Sequence, residues 1–220
     1  MHSFLLKVLM FLIIYIPAST FDRTAVFFGI FSSKHLTSEF KKINIFQKVP
    51  VIDHDGFVLT ESIAIIRYLT RHFDIEDHWY PKDSKLQAKV DEYLEWQHLN
   101  TRLFGSMIFR ERVILPQVEK KPVNNEKLQF YKDNFLKVLK NIEEGFLKDK
   151  TYLCGDKISV SDIFCACEIE QPLAIGFDPF SDVPKLKSWF EKVRKELEPS
   201  YSEVNDALML TKGGIEKGKL

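Results

Sequence analysis

Three short runs of this sequence carry groups that could do chemistry together. Lys48-Val49-Pro50 precedes an apolar run, Glu61-Ser62 follows a second one, and His35 lies upstream of both. A Pro that opens a strand cannot donate to its ladder. A cis bond at Val49–Pro50 would turn the Val49 N–H and C=O outward, where an extended peptide could pair with them as an added strand. Backbone N–H groups at the start of a helix attract a carboxylate. The Ser62 hydroxyl and N–H can hold that anion while the Glu61 carboxylate holds an adjacent ammonium, so the two match both charges of an α-amino acid end. Lys48 and His35 can supply cations at the other end of a short acidic peptide. Singly, Glu61 and Ser62 could be a helix cap and Lys48 a solvated charge. The ordered set is more specific than any member.

The elements that must position these groups are legible around them. "VPVID" and "FVLT" are apolar runs joined through His54, Asp55 and Gly56, and Asp-Gly between such runs signals a hairpin. After Glu61, Ile63, Ile66, Leu69 and Phe73 recur at helical spacing. Upstream, "TAVFFGIF" at residues 24–31 reads as a strand, and "SSKHLTSEFKKIN" is polar with a short helical possibility. "DIEDHWYPKD", residues 74–83, has no period and contains Pro81, which marks a linker at residues 77–84.

From residue 85 onward the patterns are helical. Leu86, Val90, Leu94 and Leu103 fit one long helix running to about Leu115, where Pro116 stops it. Leu128, Tyr131, Phe135, Val138, Leu139, Ile142 and Phe146 mark a second, with Asn124 or Asn125 as its cap. Ser159 and Asp162 form a variant capping box ahead of "IFCACEIEQPLAI". Pro184 opens a further helix carrying Leu186, Trp189, Phe190, Val193 and Leu197. The chain is α/β in its first third and all-α thereafter. The expected division is a domain at 1–76, the linker, a helical domain at 85–211 and a flexible tail at 212–220.

Composition narrows the function classes. The 220 residues carry 31 basic and 31 acidic side chains, so no single-sign field argues for nucleic acid or an anionic membrane. The six histidines lack ligand spacing and no Gly-rich phosphate loop follows a strand, so neither a metal nor a nucleotide is expected. Cys154, Cys165 and Cys167 fit no disulfide framework. They indicate a reducing compartment, with Cys165 and Cys167 as core or near-core thiols. "FLLKVLMFLIIYI", residues 4–16, is apolar except for Lys7. It is shorter than the roughly 20 residues a membrane span needs and resembles a signal-peptide core, with the small residues of "PAST" behind it. A buried helix or strand is the other reading.

The segments "KHLTSEFKKINIFQKVPVIDHDGFVLTESIAIIRYLTRHF", "WYPKD", "VDEYLEWQH" and "YLCGDKISVSDIFCACEI" resemble the cytosolic glutathione transferases, closest to the theta class. The resemblance runs from residue 34 to about 210. It implies a thioredoxin-like domain followed by an all-helical domain, and conjugation of glutathione, as co-substrate, to small apolar electrophiles. It implies that Val49, after which Pro50 opens the strand, pairs with the cysteinyl backbone of glutathione. Glu61 and Ser62 would hold the γ-glutamyl end, and His35 and Lys48 would lie near the glycine carboxylate. Arg102 matches a theta-class position that reaches toward the glutathione site at the dimer interface. Phe104, Met107, Ile108 and Phe109 are candidates for the electrophile pocket, with core packing as the alternative. A cytoplasmic homodimer is the expected state.

The amino end departs from the pattern. Theta enzymes lead a first strand directly into a Ser whose hydroxyl donates to the glutathione sulfur and favours the thiolate. Ser3 and Ser19 are the serines available before residue 24, and neither sits in that context, so no catalytic residue is assigned. Ile45 also stands where the family commonly has Pro. Two readings of residues 1–33 follow. One is an altered first exon or gene start, lacking part of the first strand–helix unit. The other is a leader that takes the protein into or onto a membrane. Alternatively the chain binds glutathione with weak or no catalysis.

Overall fold

The computed structural model describes residues 34–205. The strand expected at 24–31, the apolar run 4–16, Ser3, Ser19 and the tail 212–220 lie outside the described residues. The chain divides into two compact units, Met1–Glu76 and Asp77–Leu220.

In the first unit, α1 (Ser38–Ile43) is capped by Thr37, whose hydroxyl accepts from the Phe40 N–H at 3.2 Å. The hairpin follows as β1 (Val51–His54) and β2 (Phe57–Thr60), paired antiparallel with Val51 opposite Thr60 and His54 opposite Phe57. Its turn holds Asp55 at φ 52° and Gly56 at φ 85°, the pair of positive angles that matches the twist of the strands and that Asp-Gly tolerates. The Asp53 carboxylate accepts from the Gly56 N–H at 2.8 Å and closes the turn. Helix α2 (Ser62–His72) then buries Ile63, Ile65, Ile66 and Leu69 along one stripe, each contributing about 1.5–3 kcal/mol on leaving water. At its far end the rings of His54, Tyr68, His72 and Phe73 pack against one another, and His54 Nδ1 lies 2.6 Å from the Tyr68 hydroxyl.

The second unit is helical. Its described elements are α3 (Ser84–Trp96), α4 (Thr101–Phe109), a π turn (Arg110–Ile114), α5 (Leu115–Gln117), α6 (Asn125–Asn141), a second π turn (Ile142–Leu147), α7 (Val160–Ala174) and α8 (Pro184–Glu196). Helix α4 packs on α6 and α7, α3 packs on α7, and α8 packs on α7. Every residue of α7 except Leu173 is buried, so Cys165 and Cys167 are both interior although they point to different faces. Cys154 is half-buried.

The single helix expected from Leu86 to Leu115 is broken. Residues Gln97–Leu99 form a 3₁₀ turn, and Asn100 leaves the helical region at φ −124°, ψ −97°. Its amide donates to the Trp96 carbonyl at 2.8 Å, so the side chain serves the interrupted ladder. Pro116 does not stop the chain at Leu115: it sits within α5, in the first turn where its missing N–H is tolerated. The stretch expected as a linker is packed. Trp79 and Tyr80 are buried, the Tyr80 hydroxyl donates to Asp91 at 2.9 Å, and His78 Nδ1 lies 2.6 Å from the Ile158 carbonyl. Asn124, rather than Asn125, caps α6, accepting from the Lys127 N–H at 3.0 Å.

Candidate functional site

The hairpin register brings the first set of predicted residues together. Because Val51 pairs with Thr60, the residues just before β1 and just after β2 emerge at the same end of the ladder. Those residues are Val49-Pro50 and Glu61-Ser62. The Val49–Pro50 bond is cis, as the sequence suggested. Among the described residues the Val49 N–H and C=O take no hydrogen-bond partner, which leaves a one-residue strand edge beside the start of α2.

Glu61 is the residue that turns the chain from β2 into α2. It takes φ 69°, ψ 116°, outside the regions an L side chain prefers, and its side chain makes no capping hydrogen bond. Strain of this kind costs of order 1–3 kcal/mol and collects at ligand sites. The carboxylate is exposed and is not spent on the helix it precedes. Ser62 is buried as the first residue of α2, where the helix's leading N–H groups are open to an anion. A carboxylate at Ser62 and an ammonium at Glu61 would be met within two consecutive residues.

The loop before Val49 is held by a residue the sequence did not single out. Asn44 is 4% exposed; its amide donates to the Lys48 carbonyl at 2.7 Å, and its oxygen accepts from the Phe46 N–H at 3.0 Å. It fixes the path into Lys48 and Val49 past Ile45 and Phe46, both largely exposed. Gln47, at φ 51°, donates through Nε2 to the His35 carbonyl at 3.4 Å and ties the His35 turn to the same loop. His35 Nδ1 is buried with no partner among the described residues, while Lys48 is exposed. The only cue to Asn44 in the sequence was an Asn four residues ahead of Lys48, which is too common a pattern to mark a bracket.

Arg102, Phe104, Met107 and Ile108 belong to α4 in the second unit. Ile108 is fully buried, and Phe104 and Met107 are half-buried. Arg102 Nη1 donates to Glu168 Oε1 at 2.7 Å, and Glu168, on α7, is 0% exposed. Burial pushes the Glu168 carboxyl above its ordinary range, and the Arg102 charge acts against that rise. A partner 66 positions away leaves no local trace in the sequence. Among the described residues no group of three or more His, Cys, Asp or Glu could hold a metal, and no helix is long and apolar enough to cross a membrane.

Comparison with known proteins agrees with this geometry. Residues 25–71 match the model of the glutathione S-transferase N-terminal domain, and residues 106–196 that of the C-terminal domain. The chain is 40% identical to glutathione S-transferase theta-1 of Gallus gallus over 70% of its own length and 59% of that protein's. It is 36% identical to glutathione S-transferase theta-1 of Bos taurus over 81% of this chain and 75% of that one. The chain thus spans about three-fifths of the chicken relative and three-quarters of the bovine one. Human glutathione-S-transferase T1-1 in its apo form superposes with a TM-score of 0.77 at 33% identity, covering 81% of this chain and 75% of that one. A human theta-class transferase in complex with the glutathione conjugate of 1-menaphthyl sulfate superposes at 0.79 with 30% identity, covering 84% and 76%.

Proposed function

Because this chain belongs to the glutathione S-transferase family, with its thioredoxin-like and all-helical domains, we propose that it conjugates the glutathione thiol to small apolar electrophiles. The observation that carries the reading is the hairpin register, which brings Val49-Pro50 and Glu61-Ser62, with Glu61 at positive φ, to one end of the ladder. Val49 pairs with the cysteinyl backbone, Ser62 and the α2 N-terminus take the γ-glutamyl carboxylate, and Glu61 takes its ammonium. His35 and Lys48 face the glycine carboxylate, with Asn44 holding the loop. Arg102 adds a cation for glutathione. Phe104, Met107 and Ile108 remain the candidates for the apolar pocket, and the buried position of Ile108 gives it a packing role as well.

In the reaction the thiolate attacks an electrophilic carbon. The new S–C bond forms as the bond to the leaving group breaks, and the leaving group departs with the electron pair. A free thiol titrates near 8.5, so about a few per cent is thiolate at neutral pH. A hydroxyl donor at the sulfur would raise that share. Turnover of a small alkyl halide or epoxide, followed with and without glutathione, tests the activity. Glutathione-dependent loss of the electrophile is expected. Glutathione binding without turnover would reduce the protein to a binder, and no binding would remove the reading.

The active form is proposed to be a cytosolic homodimer. The unpaired thiols of Cys154, Cys165 and Cys167 support a reducing compartment. A cavity of about 550 Å³ on the first unit, lined by Phe57, Leu59, Arg67, Tyr68, Arg71 and His72, supports the dimer. Two arginines stand there beside aromatic rings, and a second copy of the chain would cover them. Sedimentation of the double variant Arg67→Glu/Arg71→Glu is expected to show a monomer where the parent chain sediments as a dimer. An unchanged dimer would place the interface elsewhere.

A further inference from the structure

Asn44 uses all four of its polar groups on one short loop of the first unit. Its N–H donates to the Phe40 carbonyl at 2.9 Å and closes the end of α1, and its carbonyl accepts from the Gln47 N–H at 3.0 Å. Its side-chain oxygen accepts from the Phe46 N–H at 3.0 Å, and its amide Nδ2 donates to the Lys48 carbonyl at 2.7 Å. Asn44 is 4% exposed, whereas Ile45 and Phe46 at the tip of the turn are 70% and 69% exposed. The tip therefore does not hold itself in place by burying its own apolar side chains. The fold asks less of Asn44 than it supplies. The end of α1 and the turn are closed by its backbone N–H and C=O, which any residue but Pro provides. What an amide side chain adds is the clasp on the Lys48 carbonyl, and among the described residues that is the only hydrogen bond Lys48 makes.

The Lys48 carbonyl and the Val49 N–H belong to one peptide unit, and that unit is trans. A trans peptide is planar, with its C=O and N–H on opposite sides. Holding the carbonyl against Asn44 therefore turns the Val49 N–H the other way, where it takes no partner among the described residues. The Val49 carbonyl lies in the next peptide unit, which Asn44 does not touch. The two arms of the Val49 edge thus have separate supports. We infer that Asn44 is a positioning residue that presents the Val49 N–H to the cysteinyl carbonyl of glutathione, an inference that rests on the proposed transferase reading.

The test compares three ligands on the full chain by calorimetric competition, with melting temperature recorded separately. Glutathione carries the whole peptide. γ-Glutamylcysteinyl methylamide keeps the cysteinyl carbonyl and lacks the glycine carboxylate. γ-Glutamylmethylamide keeps the γ-glutamyl end and an amide N–H for the Val49 carbonyl, and lacks the cysteinyl carbonyl. Asn44→Ala is expected to weaken the first two roughly tenfold, the share of one backbone hydrogen bond, and to leave the third unchanged. Loss of folded protein would lower all three alike. Asn44→Asp keeps an acceptor for the Phe46 N–H and has no donor for the Lys48 carbonyl, so it should show the same selective loss. Should Asn44→Ala fail to fold, Asn44→Asp carries the test, together with Asn44→Gln, which keeps the amide on a longer arm and should lose less in the same order. Equal losses for all three ligands, or no loss, overturn the inference. A loss confined to glutathione also overturns it, because the effect then belongs to the glycine end at His35 and Lys48. In each of these cases the transferase reading stands. A parent protein that takes no glutathione removes that reading itself.

Discussion

Replacing Glu61 by Ala is expected to weaken glutathione binding by at least ~1.5 kcal/mol, and Ser62→Ala by a similar amount, each being a lost hydrogen bond to a charged group. Together they should cost roughly a hundredfold or more in affinity. The two losses have separate causes. Glu61 contributes its carboxylate, and only its backbone carbonyl serves α2, accepting from the Ile65 N–H at 2.9 Å, so removal of the side chain should leave the helix intact. Ser62 contributes a hydroxyl at the helix N-terminus, while its N–H survives substitution. The backbone angle of Glu61 supplies an internal control. At φ 69° a glycine is more comfortable than any L residue. Glu61→Gly should therefore bind glutathione as poorly as Glu61→Ala, although it relieves strain that Ala retains. Glu61→Gln keeps the shape and loses the charge, which isolates the ammonium contact. Calorimetric titration of the four variants against the parent protein decides the matter. Affinity unchanged in Glu61→Ala would remove Glu61 from the site.

What could be read beforehand follows from the range of the interactions involved. The hairpin was legible because Asp55-Gly56 and the flanking apolar runs are local. Its register then placed Val49-Pro50 beside Glu61-Ser62 without further information. The stripe of α2 was legible because its spacing repeats. The break at Asn100 was not, because the spacing of apolar residues on either side carries no mark of a single 3₁₀ turn. Residues 77–84 carried no period, and Trp79 and Tyr80 are buried by irregular packing that no period announces. Asn44 and Glu168 escaped notice for a related reason. Each is a polar side chain whose meaning lies in a buried partner: the Lys48 carbonyl for Asn44 and the Arg102 guanidinium for Glu168. Sequence shows polarity at such positions but not burial.

Asp162→Ala is expected to destabilise the helical unit by several kcal/mol, because each buried donor left without an acceptor costs about 1–3 kcal/mol. The sequence marked Ser159 and Asp162 as a helix cap worth ~1 kcal/mol; the structure gives Asp162 a larger part. It is fully buried. Its Oδ2 accepts from the Ser159 N–H and from the Ser159 hydroxyl, both at 2.9 Å. Its Oδ1 accepts from the Leu153 N–H and from the Trp189 indole N–H, also at 2.9 Å. One carboxylate thereby joins the first turn of α7, the loop before it and the core face of α8. Burial pushes this carboxyl above its usual range, and the donors around it pull the other way. An alanine here leaves four buried donors with no acceptor, and orphaned groups cost more than the bonds themselves were worth. Ser159→Ala removes one donor and leaves the Ser159 N–H in place, so ~1 kcal/mol remains the expected loss there. Asp162→Asn should fall near the alanine variant rather than the parent, because its amide turns N–H toward at least one donor. Denaturant titration reads the effect as a lower midpoint at unchanged slope. Glutathione affinity per folded molecule should stay constant in all three variants, because the groups joined by Asp162 belong to the helical unit's core and not to the hairpin end. Lost affinity with an unchanged midpoint would move Asp162 from the core into the site.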